Sequence, residues 1–456
     1  MPTQRTPVSL AFQGCRGRRV TASFNGGTIT SHAGALLLRK IERPMGLFDR
    51  VAACFTDHRD PARTEHSVST LVAQRIVALA LGYEDLNDHD HLRHDPVLGL
   101  LGGKTAGTRK GCAALAGKST LNRLEHASEG EPGRYRRIAH DPEGLQNLLT
   151  DLFVESKTGA PPSRLVLDID CTDDPTHGRQ EGRFFHGYYG HYCFLPLYIF
   201  CGHYPLAAVL RPGNTDPAQG AVEQLERIVA RLRKRWPNVE ILVRADSAYA
   251  REEIMAFLER ENIHYVLGVA RNDRLRRRVA PELLAAKVES EGRGRPARLY
   301  AEFDHATRTS WSRFRRVVAK CEHIPGKSNP RFVVTSLPKT ISPRTLYERV
   351  YCPRGHAENA IKEQQLDLFA ARTSAGPIAA NQLRLLFSAF ASILMARFRA
   401  ALAHTRLAQA TAGSLRLKLL RIGARVSVST RRIAVAMDAH HPFKAEFARA
   451  YARAPT

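Results

Sequence analysis

Arg164-Leu-Val-Leu-Asp-Ile-Asp-Cys171 is a short apolar run that finishes in a carboxylate, and the chain changes character around it. Upstream the pattern is helical. Ser67 is placed to cap a helix whose apolar positions Val68, Leu71, Val72, Ile76 and Leu79 recur every three or four residues, and Ser119 precedes Leu121 and Leu124 in a shorter helix carrying Arg123. Downstream, residues 192–201 and 205–211 read as strands separated by the turn signal Gly202-His203. Residues 217–236 follow as a helix with Val222, Leu225, Ile228, Val229 and Leu232 on one face. A fourth strand over 239–246, a helix over 252–261 and a fifth strand over 264–269 complete the order β-β-β-α-β-α-β. The interval 271–342 is basic and turn-rich, with strand-like pieces at 299–303, 313–320 and 331–336, and reads as a β-rich insertion. Helix resumes near Gly355 and runs, with a break at Gly376-Pro377, to about His404.

Charge narrows the partner. Sixty-eight Lys and Arg face 44 Asp and Glu, a net +24 that repels itself unless a polyanion is near, so nucleic acid is the expected partner. From Ala371 onward there are 14 Lys and Arg and two acids, a net +12, which reads as an arm for a phosphate backbone. The eight cysteines include no C-x-x-C pair, so a zinc ribbon or redox motif is not expected and free thiols are. Residues 1–14 lack a charged start followed by an apolar run, so no signal peptide is expected. The most apolar stretch, 385–396, is short for a bilayer and bracketed by Arg384 and Arg397.

Three carboxylates stand at the ends of elements. Asp170 closes the first strand and Asp246 the fourth, and Glu358 falls in the first turns of the helix after the insertion. Two paired strands that both finish in a carboxylate bring those groups to one sheet edge. Converging carboxylates repel, divalent cations relieve the repulsion, and an oxygen-only donor set suits Mg²⁺ or Mn²⁺. Two such ions support in-line displacement at a phosphodiester. Taken singly, a strand-end Asp more often caps a turn and a helical Glu is more often solvated; the combination in this element order carries the reading.

The order resembles the ribonuclease H-like fold of DDE transposases and retroviral integrases, and more narrowly the insertion-sequence transposases of the thirteen-eighty group. The matching stretches are Gly82-Tyr-Glu-Asp-Leu-Asn-Asp88 with Leu92-Arg-His-Asp-Pro96, Leu167-Asp-Ile-Asp-Cys-Thr-Asp-Asp174 with Gln180-Glu-Gly-Arg-Phe-Phe-His-Gly-Tyr-Tyr189, Arg244-Ala-Asp-Ser247, and Tyr351-Cys-Pro-Arg-Gly-His-Ala-Glu-Asn359 with Ile361-Lys-Glu363. The resemblance implies that Asp170, Asp246 and Glu358 are the metal-holding catalytic triad and that Tyr351 and Arg354 contact DNA. The family's lysine position is Gln365 here, and Lys362, one helical turn after Glu358, is the expected replacement. Asp168 shares a strand face with Asp170; Asp170 is preferred because it lies nearer the strand end and immediately precedes Cys171-Thr172.

The resulting expectation is an α/β chain: a helical DNA-binding region over 1–155, the first part of a ribonuclease H-like core over 160–270 (a mixed five-stranded sheet with flanking helices), the β-rich insertion over 271–342, the helical remainder of the core over 343–410 and a basic C-terminal region over 411–456. The resemblance implies metal-dependent cleavage at insertion-sequence ends and strand transfer, two Mg²⁺ or Mn²⁺ ions, terminal inverted repeats and target double-stranded DNA as partners, a homodimer or higher oligomer on DNA, and a bacterial cytoplasmic location, nucleoid-associated when bound to DNA. A nuclease of the same fold without strand transfer, and a catalytically inactive DNA-binding derivative, are the alternatives.

Other signals are set aside. Gly99-Leu-Leu-Gly-Gly-Lys-Thr105 imitates a phosphate loop but is one residue short, so no nucleotide cofactor is expected. Glu84, Asp85, Asp88, Asp90 and Asp95 suit capping and turns better than a second metal site. His177, His186, His191 and His203 show no ligand pattern, Asp173 and Asp174 read as loop residues, and Trp311 is weighed as a base-stacking residue against a core one.

Overall fold

Alternate residues of the strand containing Asp170 belong to different environments. Leu165, Leu167 and Ile169 enter the main hydrophobic core, whereas Val166 packs into a second cluster on the opposite face of the sheet. Asp168 and Asp170 share the parity of Val166 and therefore that second face. The computed structural model in which this is seen describes residues 9–131, 136–324 and 326–454. The first eight residues of the stretch read for a signal peptide, and the last two of the C-terminal region, lie outside it.

The chain divides into two compact units, Met1–Ala127 with Pro132–Ala139 and Arg397–Thr456, and Ser128–Glu131 with His140–Ala396. The second unit is a mixed α/β structure built on one large sheet. In chain order its elements are β1 (Arg164–Cys171), β2 (Leu197–Cys201), β3 (Tyr204–Val209), α1 (Ala221–Arg235), β4 (Glu240–Ala245), α2 (Glu252–Arg260) and β5 (His264–Val269), then α3 (Asp273–Arg278), α4 (Ala280–Arg293), β6 (Ala297–His305), β7 (Arg315–Ile324), β8 (Arg331–Thr335), α5 (Gly355–Asp367) and most of α6 (Ile378–Ala401), whose last five residues belong to the first unit. The strands run β3-β2-β1-β4-β5-β8-β7-β6 across the sheet. β2 is antiparallel to both β1 and β3, β4 is parallel to β1 and to β5, and β8, β7 and β6 add on antiparallel.

Two features differ from the expectation. The interval 271–342 does hold strands, but β8, β7 and β6 continue the same sheet past β5, and the interval also contains α3 and α4. The run 192–201 is broken at Pro196: His191–Phe194 pairs in a separate small sheet with Phe184–His186 and Asp174–Pro175, and only Leu197–Cys201 joins the large one.

Helix α1 forms as its periodicity dictates. Leu225, Ile228, Val229 and Leu232 are buried against the core face of the sheet, each such side chain contributing about 1.5–3 kcal/mol. The apolar stretch 385–396 lies within the longer helix α6, which is long and apolar enough to cross a membrane by length and composition, and 72% of its most apolar window is buried within the protein.

In the first unit the helix Val68–Leu81 is buried on nearly every side. Ser67 caps it as expected, its hydroxyl accepting from the Thr70 N–H at 3.2 Å. The shorter helix Lys118–Glu125 has no Ser119 cap; the Asp90 carboxylate accepts from the Lys118 N–H instead, at 3.1 Å. Asp95 caps the helix Pro96–Leu101 through Val97 and Leu98, and Lys104 donates to Glu65, so Asp90 and Asp95 of the acidic group and the lysine of the run resembling a phosphate loop have structural partners. Part of the basic tail is structural too. The strand Ala424–Val428 pairs with Ile433–Met437 and with Ile29–Thr30. Arg416 and Arg421 donate to the Ala80 and Leu81 carbonyls, each at 3.0 Å, where the last turn of Val68–Leu81 has no intrahelical donor.

Candidate active site

The parallel register of β1 and β4 pairs Arg244 with Asp168 and Ala245 with Ile169. One step further along lie Asp170 and Asp246, at the same level of adjacent strands about 4.8 Å apart. β4 repeats the division seen in β1: Ile241, Val243 and Ala245 face the main core, and Leu242 faces the second cluster. Arg244 and Asp246 follow the parity of Leu242, so they share a face with Asp168 and Asp170.

That face is covered by the segment leading to Glu358. Leu346 and Tyr347 pack into the second cluster with Tyr351 partly buried against it. The backbone runs through a π-helical turn, Leu346–Tyr351, and a 3-10 turn, Cys352–Arg354, before α5 begins. Glu358 therefore sits in the first turn of α5, and Arg354 one turn before it. Arg354 bridges the two elements: its Nη1 donates to Asp170 Oδ2 at 3.0 Å and its Nη2 to Glu358 Oε1 at 2.5 Å.

The electrostatics follow from burial and crowding. Burial pushes the Asp170 carboxyl up to about 6; the Arg354 guanidinium opposes the shift, and the negative charges of Asp246 and Glu358 add to it. Burial works against the charge of Arg354, but Asp170 foremost, with Tyr351, Glu358 and Asp246, raises its affinity for the proton. Burial also raises the Tyr351 hydroxyl. Asp246 accepts from the Ala248 N–H at 2.9 Å, which orients its carboxylate at the strand end.

Asp168 is differently occupied. Arg244 holds it through two hydrogen bonds, so of the two aspartates on this strand Asp170 is the one drawn into the cluster with Glu358. Lys362 is exposed on α5. Gln365 points elsewhere: its amide donates to the Asp173 carbonyl at 3.1 Å and to Asp174 Oδ1 at 2.9 Å. Asp174 is fully buried, and Asp173 pairs with His191, so neither is a free loop residue. Trp311 packs partly buried against the main core between His305 and Arg315.

Sequence reasoning missed four contributors: Arg244, Gly268, Arg271 and Arg331. The spacing of two between Arg244 and Asp246 puts both on the same strand face. Gly268 lies on β5, where a Cβ would come within 2.8 Å of the Tyr351 hydroxyl, 2.9 Å of the Ser247 nitrogen and 3.0 Å of the Asp246 carbonyl carbon. Beside Asp246 a groove of about 540 Å³ opens, lined in part by Arg271, Arg331, Tyr351 and Arg354. Arg271 and Arg331 come from opposite ends of the interval read as an insertion, and only the pairing of β8 with β5 brings them together.

A cation can serve this cluster. All three donors are carboxylates, and the positive group now between Asp170 and Glu358 is a guanidinium. As the side chains stand, no three His, Cys, Asp or Glu residues among those described are grouped to hold one ion. The all-oxygen chemistry of the three carboxylates fits a hard divalent metal.

Comparison with known proteins shows the family. The family model described as "Transposase DDE domain group 1" matches residues 12–455. No curated protein matches the chain. Among solved structures it is similar to the cryo-EM structure of a piggyBac transposase synaptic complex with hairpin DNA, at 11% identity and a TM-score of 0.38, covering 81% of this chain and 76% of that one. DDE transposases use divalent metal ions. The chain belongs to the DDE transposase family, and it is a DNA transposase that cuts DNA and transfers the cut strands.

Proposed function

We propose that Asp170, Asp246 and Glu358 are the catalytic acids of this transposase, set in a ribonuclease H-like core, and that together they hold two Mg²⁺ or Mn²⁺ ions at the ends of an insertion sequence. The observation that carries the reading is the single Arg354 guanidinium shared by Asp170 and Glu358, with Asp246 on the strand adjoining Asp170. The mixed arrangement of β1 to β5, with the acid-bearing strands β1 and β4 side by side at its centre, supports the core assignment.

Ions held by Asp170, Asp246 and Glu358 would supply the activation of a water or a 3′ hydroxyl and the stabilisation of the leaving oxygen. The chain's own residues do the rest. Arg354 exchanges its two carboxylates for a DNA phosphate, to which a guanidinium can donate two parallel hydrogen bonds. Lys362, on the face of α5 that carries Glu358, adds a second positive charge for the backbone. Tyr351 forms one wall of the groove and donates its hydroxyl to the same strand. Arg271 and Arg331 continue the positive lining away from Asp246.

Within this reading the enzyme is of the thirteen-eighty group, its DNA partners are terminal inverted repeats and target duplex, and it acts as a homodimer or higher oligomer in the bacterial cytoplasm. The test is Glu358→Gln in a cleavage assay with Mg²⁺. DNA binding is retained and cleavage abolished; unchanged cleavage overturns the site. Supplying pre-cut ends and a target plasmid then reads strand transfer by itself.

A further inference from the structure

Between β1 and β2 the chain makes an excursion that the catalytic acids do not require. Phe184–His186 and His191–Phe194 form an antiparallel hairpin in which Tyr192 pairs with Phe185 and His191 with His186. The connecting residues close on a Gly190 N–H to His186 carbonyl bond of 2.8 Å, with Gly190 at φ +75°, a conformation that glycine adopts without strain. This hairpin leaves aromatic rings in water. Tyr188 is 87% exposed, Phe185 57% and Tyr192 48%. Scattered apolar side chains need no explanation, but a contiguous exposed set marks an interaction surface.

The set is ordered. Phe185 and Tyr192 lie directly opposite on one face, ring centroids 5.6 Å apart and edge to face at 75°, so each offers a ring face in a different direction. Arg183 has the same strand parity as Phe185, and its guanidinium lies over the Tyr192 ring at 4.7 Å. A planar cation and two rings thus line one side of the hairpin. The position is fixed from two directions. Asp174 pairs with Phe194 at the base, Asp173 binds His191 at 2.7 Å, and Gln365 on α5 holds both aspartates. The hairpin therefore hangs from the strand of Asp170 and is tied to the helix of Glu358.

We infer that the Arg183, Phe185 and Tyr192 face is a stacking platform for unpaired nucleotides next to the phosphate being cut. Aromatic faces bind bases irrespective of sequence, and Arg adds attraction for both rings and backbone. A paired base has its faces covered by its neighbours in the duplex, so only a base freed from the stack can use the platform. The Arg183 charge and the net charge of +24 favour a polyanion over an apolar protein surface. This inference rests on the active-site reading, because that reading places the cut strand beside the hairpin.

The test uses the full chain without divalent metal, so that nothing is cut, and two fluorescent oligonucleotide duplexes that differ only in a short single-stranded overhang. The parent protein binds the overhang duplex more tightly than the blunt one. Phe185→Ala with Tyr192→Ala abolishes that preference, a loss of roughly 5- to 100-fold on the overhang duplex, and leaves blunt-duplex affinity unchanged. Tyr192→Phe, which keeps the ring, retains the preference. On the parent alone, a 2-aminopurine base in the overhang is quenched on binding, a readout that stands even if the alanine variant fails to fold. No preference in the parent, no quenching, or an equal loss on both duplexes overturns the inference. So does a change of mass in light scattering with DNA binding intact, which marks a protein–protein face. Glu358→Gln separates the two readings: it abolishes cleavage and keeps the overhang preference, whereas continued cleavage by that variant sinks the site assignment, and with it the platform's place beside the cut, while the overhang preference still reads base stacking by itself.

Discussion

Arg244 closes on Asp168 through two hydrogen bonds, Nε to Oδ1 at 2.7 Å and Nη2 to Oδ2 at 2.8 Å, and directs Nη1 to the Val350 carbonyl at 2.7 Å. The pair is nearly buried and joins β1, β4 and the turn that delivers Arg354. Removing one member of such a pair leaves a buried charge unpaired, at a cost of about 3–5 kcal/mol. Asp168→Ala therefore lowers stability by that order in urea unfolding. Asp170→Asn leaves the unfolding midpoint close to the parent's and abolishes cleavage. The reverse pattern reassigns the two aspartates.

Under the proposed assignment, Arg354 occupies the carboxylate oxygens that would hold the metal. In Arg354→Gln, Asp170 and Glu358 each lose a charge-assisted hydrogen bond, and DNA-free protein binds Mn²⁺ more tightly by at least about tenfold, the scale of one such bond. Electron paramagnetic resonance of free Mn²⁺ reads this without any turnover. Affinity equal to the parent's shows that the bridge exerts no competition.

Gly268 has no room for a methyl group against the Ser247 and Asp246 backbone. Gly268→Ala is expected to shift that backbone at a cost of about 1–3 kcal/mol and to reduce cleavage more than DNA binding, since the groove lining stays. Chemical denaturation and a cleavage time course check both parts. A variant as stable and as active as the parent contradicts the packing argument.

Asp174 carries a pH signature. Burial raises its carboxyl to about 7, Gln365 opposing and Asp173 adding, and its Oδ2 has no hydrogen-bond partner. A carboxyl raised on folding favours the folded state fully below its unfolded value, near 3.8, and that contribution is lost as pH rises through about 7. Asp174→Asn removes this loss. Its melting temperature exceeds the parent's at pH 8, and the advantage shrinks toward pH 4. A constant difference across that range refutes the assignment of the charge.

What could be read from the sequence was local or periodic. β5 and the buried face of α1 follow from apolar spacing, and Asp170, Asp246 and Glu358 were picked out by element ends and short motifs. What escaped depends on distant partners. Helices α3 and α4 bury only Leu275, Ala286 and Ser290, so no apolar stripe announces them. Strands Leu10–Cys15 and Arg18–Ala22 are exposed throughout and show no alternation of environment. The run 192–201 looked continuous because one proline does not reveal that its two halves join different sheets. β8 was legible as a strand; that it would lie against β5, bringing Arg331 to the groove, was not. Lys118 shows the same limit at one bond, because its cap comes from Asp90, 28 residues earlier.

The anchoring of Val68–Leu81 by Arg416 and Arg421, and the pairing of Ile29–Thr30 with Ala424–Val428, bear on how the polypeptide is made. One compact unit is assembled from segments that flank the other in the chain, so it stays unfinished during synthesis until Ala424–Val428 has been made. A product stopped early, or an N-terminal fragment expressed alone, lacks the donors for that helix end and the strand that edges it.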